Sequence, residues 1–510
     1  MKRFLALLLC IVLLLCGCAT DPGAYVPTGD GLSYGDDYTG PQHTPVTEEK
    51  QQDLTLPYYK ELSLNPYQCG DYTNRALFPL IYQSLFVLNR SYTAEPQLCS
   101  RYTVSADMTR YTFYAEPATF SDGAVLTAED VEVSLYTAWK SQVYKGRFVH
   151  VTGIERTEDG GVTVTLDTPY ENFTMLLDVP IVKASQVADD RPLGTGPYRM
   201  YTAFEKDSLR RRTNWWCSPK MSVTADTIYL FAAQSESHIR DQFEFYDLSM
   251  AYADPGSDRY ADYRCDYELW EYENGIFLYM ATCANSTVFQ NDTLRSALTY
   301  AINRDLLVKE FYRGFASSAT LPASPYSPYY DQTLAQRYGY DPEKFRQAVL
   351  DSGMEGSQIV FLVNAGDSLR LRVARNIAGM LREGGLQVVM KELSGTAYTD
   401  AIKNRQFDVY LGQTRLSANM DLSAFFETYG ELSWGGVNDL GAYSLCLQAL
   451  ENHGNYFNLH KMVMDNGLLC PVLFRSYAIY ASRGVISDLN PARDNVFYYS
   501  LGKTLADVRQ

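Results

Sequence analysis

IVFLVNAGDSLRLRVARNIAGMLREGGLQVVMKELSGTAYTDAIKNRQFDVYL, residues 359–411, reads as three strands separated by two helices. Ile359 to Val363, Leu386 to Met390 and Phe407 to Leu411 are short apolar runs of strand length. Leu369 to Leu381 carries apolar residues at helical spacing, and a second helix is expected near Tyr398. Strand–helix–strand–helix–strand at this spacing predicts right-handed crossovers and a parallel sheet, which is an α/β lobe.

Moving toward the N-terminus, Asp341-Pro342 places an N-cap before a proline at the first helical position, with Gly353 just past the end. Asp292 is expected to cap a helix carrying Leu294, Ala297, Leu298, Ala301 and Ile302 on one face. Asn303-Arg304-Asp305 interrupts that helix, and a second runs to Gly314. From about 54 to 200 the chain mixes short strands with one helix. Arg110 to Tyr114 and Val162 to Leu166 alternate as strands do. Thr127 reads as an N-cap followed by the first-turn acids Glu129 and Asp130, leading into Val131, Leu135 and Trp139. Phe120-Ser121-Asp122-Gly123, just before it, is turn chemistry. There is no internal repeat and no coiled-coil heptad.

The first residues read as an address. Lys2 and Arg3 precede an unbroken apolar run from Phe4 to Leu15, too short for a membrane span of roughly 20 residues and suited to a secretory signal. Leu15-Cys16-Gly17-Cys18 then looks like a bacterial lipobox with Cys18 as the lipidated residue. A diacylglyceryl group supplies two chains, enough for stable anchoring. An ordinary signal peptide with a chance cysteine is the alternative, since Cys10 and Cys16 lie in the same stretch. Residues 19–50 are rich in Asp, Gly, Pro, Thr and Ser and read as a tether. Within it Gly31-Leu32-Ser33-Tyr34-Gly35 matches a nucleophile-elbow pattern, but no strand precedes it and no helix follows.

Bulk properties exclude several functions. A net charge of −16 over 510 residues argues against nucleic acid and against an electrostatic grip on anionic lipid headgroups. Five histidines (His43, His150, His238, His453 and His460) have no HxxxH or HxH spacing, so no metal site or other cofactor site is expected. Beyond Cys18, the seven cysteines Cys69, Cys99, Cys217, Cys265, Cys283, Cys446 and Cys470 are odd in number and widely spaced, which defines no disulfide framework. Arg210-Arg211-Arg212 reads as a solvated strand edge. The 41 tyrosines suit a wet binding cleft and the covering of sheets equally.

Six motifs in sequence carry a resemblance. They are Asn65-Pro66 with Leu80-Ile81-Tyr82-Gln83-Ser84-Leu85; Ser105-Ala106-Asp107 with Tyr111-Thr112-Phe113; Phe120 to Gly123 running into Leu126 to Val131; Gly194-Thr195-Gly196-Pro197-Tyr198; Arg295 to Arg304, ending Tyr300-Ala301-Ile302-Asn303-Arg304; and Tyr340-Asp341-Pro342-Glu343-Lys344. Together, from about 54 to 480, they resemble the family 5 extracellular solute-binding proteins of ABC importers, the group of the oligopeptide- and dipeptide-binding proteins. The resemblance implies a class II periplasmic-binding-protein fold, α/β, with two lobes around a ligand cleft and an extra subdomain in the first lobe. The implied division is a lipoprotein signal peptide at 1–18 and a tether at 19–50. Lobe I is discontinuous over 51–70, 186–277 and 478–510, its subdomain spans 71–185, and lobe II spans 278–477. Crossovers near Leu278–Cys283 and Pro471–Tyr480 would act as hinges.

The implied function is a monomeric, lipid-anchored receptor, not an enzyme, that passes a small, most simply peptide-like, ligand to importer permease subunits at the outer face of the cytoplasmic membrane. In peptide-binding members an Asp of lobe II takes the ligand amine; here that position falls on Ala418 or Asn419, and neither carries a charge. Asp421 is the nearest carboxylate. Arg415 offers a planar fork for a carboxylate or phosphate, or pairs with Asp421 or another neighbour. Trp434 or Tyr429 stands in for the family's tryptophan or simply packs, and Tyr82 is a cross-cleft aromatic or a core residue. The same fold can serve a sensor without transport. An exported glycoside hydrolase is the rival of another class, although sequence cannot show two carboxylates facing one bond.

Overall fold

Helix Ser368–Glu383 starts where the Asp367 side chain accepts the Arg370 backbone N–H, satisfying a donor the helix itself leaves orphaned. Its buried face is Leu369, Val373, Ala374, Ile377, Ala378 and Leu381. The helix lies between strand Gln358–Asn364 and strand Gln387–Leu393, which pair in parallel. Helix Gly395–Lys403 then leads to strand Val409–Arg415, parallel on the other side of Gln358–Asn364. The parallel core read from residues 359–411 is therefore present in the computed structural model, which describes residues 54–217, 223–257, 259–436, 439–486 and 489–499. The expected signal segment, Cys18 and the tether lie outside those residues.

The complete sheet is mixed rather than parallel. In order it runs Met250–Ala253, Cys470–Ala481, Glu268–Thr282, Val409–Arg415, Gln358–Asn364 and Gln387–Leu393, with Ala316–Ser318 added against Cys470–Ala481. The two long members, Glu268–Thr282 and Cys470–Ala481, pair antiparallel and join this second lobe to the first. Their ladder runs from Glu268↔Ala481 to Glu273↔Ser476, lapses, and resumes at Phe277↔Phe474. The expected crossovers near Leu278–Cys283 and Pro471–Tyr480 fall within these strands, and the ladder is irregular twice, once at Asn274–Ile276 and again between Leu278 and Tyr279. At the first of these, Asn274 Oδ1 accepts the Ile276 N–H, and Gly275 adopts φ +76. A Cβ on Gly275 would stand 2.6 Å from the Arg493 guanidinium carbon, so glycine serves both the turn and the close approach.

The first lobe carries a four-stranded sheet in the order Leu54–Tyr58, Thr227–Ala232, Lys206–Arg211, Tyr198–Ala203. Beside it is a small antiparallel sheet of Cys99–Val104, Arg110–Ala115, Val162–Leu166 and Val151–Arg156, covered by helix Ala128–Lys140. That helix opens on a capping box between Thr127 and Asp130, as its sequence predicts.

Several local expectations are corrected. Asn291, not Asp292, caps helix Asp292–Ala301. The break after it arises because Arg304 is buried and donates to the Ala319, Pro471, Thr299 and Ile302 carbonyls. Arg210-Arg211-Arg212 is not a sheet edge. Lys206–Arg211 is an inner strand, Arg210 lies over the Tyr201 ring, and Arg212 donates to the Gly196, Thr119 and Phe120 carbonyls. The seven described cysteines are all free thiols.

Candidate functional site

Four arginines from distant parts of the chain converge beside the interrupted ladder. Arg75 ends the short helix Tyr72–Arg75, whose N-cap is Asp71. Arg147 closes a turn after helix Ala128–Lys140. Arg415 ends strand Val409–Arg415 of the second lobe, and Arg493 belongs to the C-terminal segment. Asp494 lies among them: Arg415 Nη2 is 2.5 Å from Oδ1, Arg147 Nη2 is 3.1 Å from Oδ2, and Arg75 Nη2 is 3.6 Å from Oδ1. Arg147 also pairs with the buried Asp178. Burial alone would favour the protonated form of Asp494. The facing charges of Arg415, Arg75, Arg147 and Arg493 outweigh it and hold the carboxyl far below the usual range. Asp178, more desolvated and facing chiefly Arg147, is instead pushed up. Four guanidinium groups therefore face two aspartates, which leaves the junction cationic inside an acidic protein.

Next to this cluster is a narrow pocket open to solvent, between the turn at Arg90–Tyr92, the crossover strands, Tyr326 and the C-terminal segment. Tyr92, Glu273, Tyr326 and Arg493 are among its walls. The Tyr92 hydroxyl donates to Glu273 Oε1 at 2.5 Å. Burial raises the Glu273 carboxyl to about 7, against the pull of the Tyr92 and Ser324 hydroxyls and of Arg493.

The sequence-predicted residues separate into three places. Arg415 is in the cluster, paired with Asp494 rather than with Asp421, and its Nε donates to the Asn274 carbonyl at 2.9 Å. Asn419 and Asp421 lie on a different contact, where the second lobe meets the small-sheet region. Asn419 is buried, with Nδ2 donating to the Tyr170 hydroxyl and its carbonyl accepting from the Tyr456 hydroxyl. Asp421 accepts the Ser423 N–H and hydroxyl at 2.9 and 2.8 Å, closing its own turn, with His150 Nε2 at 4.0 Å. The same seam holds Asn172 to the Tyr329 hydroxyl, His453 to Glu171, and the Glu171 N–H to the Leu450 carbonyl. Ala418 is buried. The position read as an amine site is thus occupied by Tyr170 and Tyr456 of the chain itself.

Tyr82 is a core residue of the first lobe. It is 3 % exposed, its hydroxyl donates to the Leu64 carbonyl at 2.9 Å, and Gly194 packs on its ring. It caps the four-residue helix Phe78–Ile81 in extended conformation and does not sit on a helix facing the cleft. Trp434 lies apart from the arginines, in an open groove with Lys403, Arg405 and Tyr429, where Tyr429 is 96 % exposed. Arg75, Arg147, Asp178, Glu273, Arg493 and Asp494 were not foreseen. The adjacent Arg493-Asp494 pair after Pro491 is the one signal that could have drawn attention. Among the described residues no three His, Cys, Asp or Glu side chains gather in a way that could hold a metal ion.

Two lobes joined by paired crossover strands, with polar groups of both lobes converging at the junction, define a solute receptor of the periplasmic-binding class. Residues 93–436 match the family model described as bacterial extracellular solute-binding proteins, family 5 middle. The chain belongs to that family, the binding proteins of ABC importers, and is not an enzyme. It is 24 % identical over 391 residues to the glutathione-binding protein GsiB of Salmonella typhi, covering 73 % of this chain and 74 % of that one. The crystal structure of the ABC transporter substrate-binding protein CtaP of Listeria monocytogenes superposes with a TM-score of 0.70 at 17 % identity, covering 88 % of this chain and 97 % of that one. The oligopeptide-binding protein AppA of Bacillus subtilis, solved with a nonapeptide, gives 0.59 at 17 %, covering 89 % and 99 %.

Proposed function

We propose that this protein is a lipid-anchored receptor that captures a small peptide-like solute by lobe closure and presents it to importer permease subunits. In this reading lobe I comprises 51–70, 186–277 and 478–510, its subdomain 71–185 and lobe II 278–477, and the molecule acts as a monomer held at the outer face of the membrane through Cys18. The observation that carries it is the junction itself. A two-strand connection with a break at Asn274–Ile276 lies beside charged groups contributed by both sides, so closure and desolvation of a ligand occur at one place. A ligand touching both lobes stabilises the closed form by its differential affinity for it. The cationic surplus favours a ligand carrying at least one carboxylate.

A thermal-shift screen of the detergent-solubilised full-length protein against peptides, amino acids, sugars and metal chelates tests this. A ligand at 100 times its dissociation constant adds about 2.7 kcal/mol of stability. A shift confined to sugars or chelates would replace the peptide-like cargo. The anchor is tested separately: Cys18→Ser should move the protein from the membrane fraction to the medium.

A further inference from the structure

Two histidine–carboxylate contacts cross the seam where the second lobe meets the small-sheet region, and each side supplies one histidine and one acid. His150, just before strand Val151–Arg156, faces Asp421 of the second lobe, with Nε2 4.0 Å from Oδ2. His453 of the second lobe runs the other way. Its Nδ1 is 2.7 Å from Glu171 Oε2, and its backbone N–H donates to the same oxygen. The Glu171 N–H in turn donates to the Leu450 carbonyl at 2.8 Å, so backbone as well as side chains joins the two sides.

His150 carries the argument. Its Nδ1 is 2.9 Å from Asp167 Oδ1, on its own side of the seam, and its Nε2 is buried without a hydrogen-bond partner. A neutral imidazole has one N–H and one lone pair. Whichever nitrogen holds the proton, the other turns a lone pair toward a carboxylate, and two acceptors face each other. Only the imidazolium, with a donor on each nitrogen, suits Asp167 and Asp421 together. The His150 and Asp421 side chains are 12 % and 15 % exposed, so the mismatch is weakly screened. The surrounding groups do not relieve it. Tyr170 sets its ring edgewise to His150, and its hydroxyl accepts from Asn419. From the second lobe come Tyr443, with Glu427 beside it, Cys446 and Tyr456; burial raises the hydroxyls and the thiol, which stay neutral. Among the described residues neither Asp167 nor Asp421 pairs with an arginine or lysine. His453 faces Glu171, near Tyr111 and Tyr329, and being more than half exposed it adds less.

We infer that this seam is a proton-sensitive latch on lobe closure: a proton on His150, seconded by His453, completes contacts that exist only while the two sides are together, so mild acid holds the receptor closed and neutral to alkaline medium loosens it. Histidine is the side chain whose charge changes between about pH 5 and 8, and a proton shifts the open–closed balance by its differential affinity for the two forms. The inference rests on the closure reading above and adds a control that does not depend on which ligand is held.

Hydrogen–deuterium exchange of the full-length, ligand-free protein tests it, because the Glu171 N–H bonds across the seam and its protection reports closure. With rates corrected for the intrinsic effect of pH, that amide should be at least about fivefold better protected at about pH 5.5 than at about pH 8. The dependence should survive in Glu273→Gln, which removes the titrating group of the junction. His150→Gln, which takes up no proton, should lower protection in acid to the alkaline level. Asp421→Asn sets an amide donor opposite Nε2 and should raise protection in alkali toward the acid level, a gain that a folding defect does not produce. Equal protection at both pH values in the wild type, or a pH dependence that His150→Gln retains, overturns the latch, while ligand capture stands or falls by the thermal-shift screen.

Discussion

Asp494, whose side chain is 16 % exposed, and the buried Glu273 are two carboxylates at one junction, and they are held in opposite states. Asp494 is surrounded by cations that keep it ionised far below the usual carboxylate range. Glu273, on the crossover strand just before the break in the ladder, is pushed up to about 7 because desolvation outweighs the help of one guanidinium and two hydroxyls. The difference shows how a cleft can be stable and receptive at once. Ion pairs complete in all partners fix the geometry, and a group left incomplete beside them is free to bind something else. A buried pair broken on one side is costly, whereas an already incomplete group loses little when it is neutralised.

The largest effect should come from Asp494→Asn. It leaves Arg75, Arg147 and Arg415 facing one another, with an expected loss of about 3–5 kcal/mol in urea denaturation at neutral pH. Because the folded carboxyl titrates below its unfolded value, this stabilisation is present above about pH 4 and lost as pH falls through the folded value. The variant should therefore lack that acid-dependent component, and an unchanged midpoint would end the contrast with Glu273.

Glu273→Gln should act in the opposite direction on the empty protein. The folded state holds this proton up to about pH 7 while the unfolded chain releases it near 4.5, so wild-type stability falls as pH rises between those values. Removing the charge should recover up to about 3 kcal/mol at pH 8 and flatten the profile between pH 4.5 and 7. A variant less stable than wild type at pH 8 would mean that Glu273 is internally compensated after all.

Two smaller changes probe the other contact between the lobes, which touches neither carboxylate. Tyr170→Phe removes the acceptor for the buried Asn419 amide and should cost about 1–3 kcal/mol with no change in the pH profile. His453→Ala removes an exposed pair with Glu171 and should cost less than about 1 kcal/mol. A pH-dependent change from Tyr170→Phe would show that this seam and the junction titrate as one unit.

Much of the framework was legible. The parallel core of 358–415 follows from three apolar runs at crossover spacing, and the Thr127 and Asp341-Pro342 starts follow from local capping chemistry. These features depend on residues within a turn or two of one another. Asp292 was misread as a cap because Asn291 precedes it and both can accept from a helix N–H. Of the candidate site, Arg415 was legible as a fork for a carboxylate, but its partner was not, because Asp494 arrives from a C-terminal tail with no periodic pattern. Asn419 looked open in sequence and is filled by Tyr170 and Tyr456, residues supplied from either side of the seam.

By itself, then, the sequence determined the α/β class, the positions of the capped helices and the order of motifs that marks the family. Spacing and capping are local properties, and they survive wherever the segment is placed. Only the tertiary structure decided which charges meet. Desolvation, and the addition of several guanidinium fields at one carboxylate, depend on distances between residues far apart in the chain, and no local pattern encodes those distances.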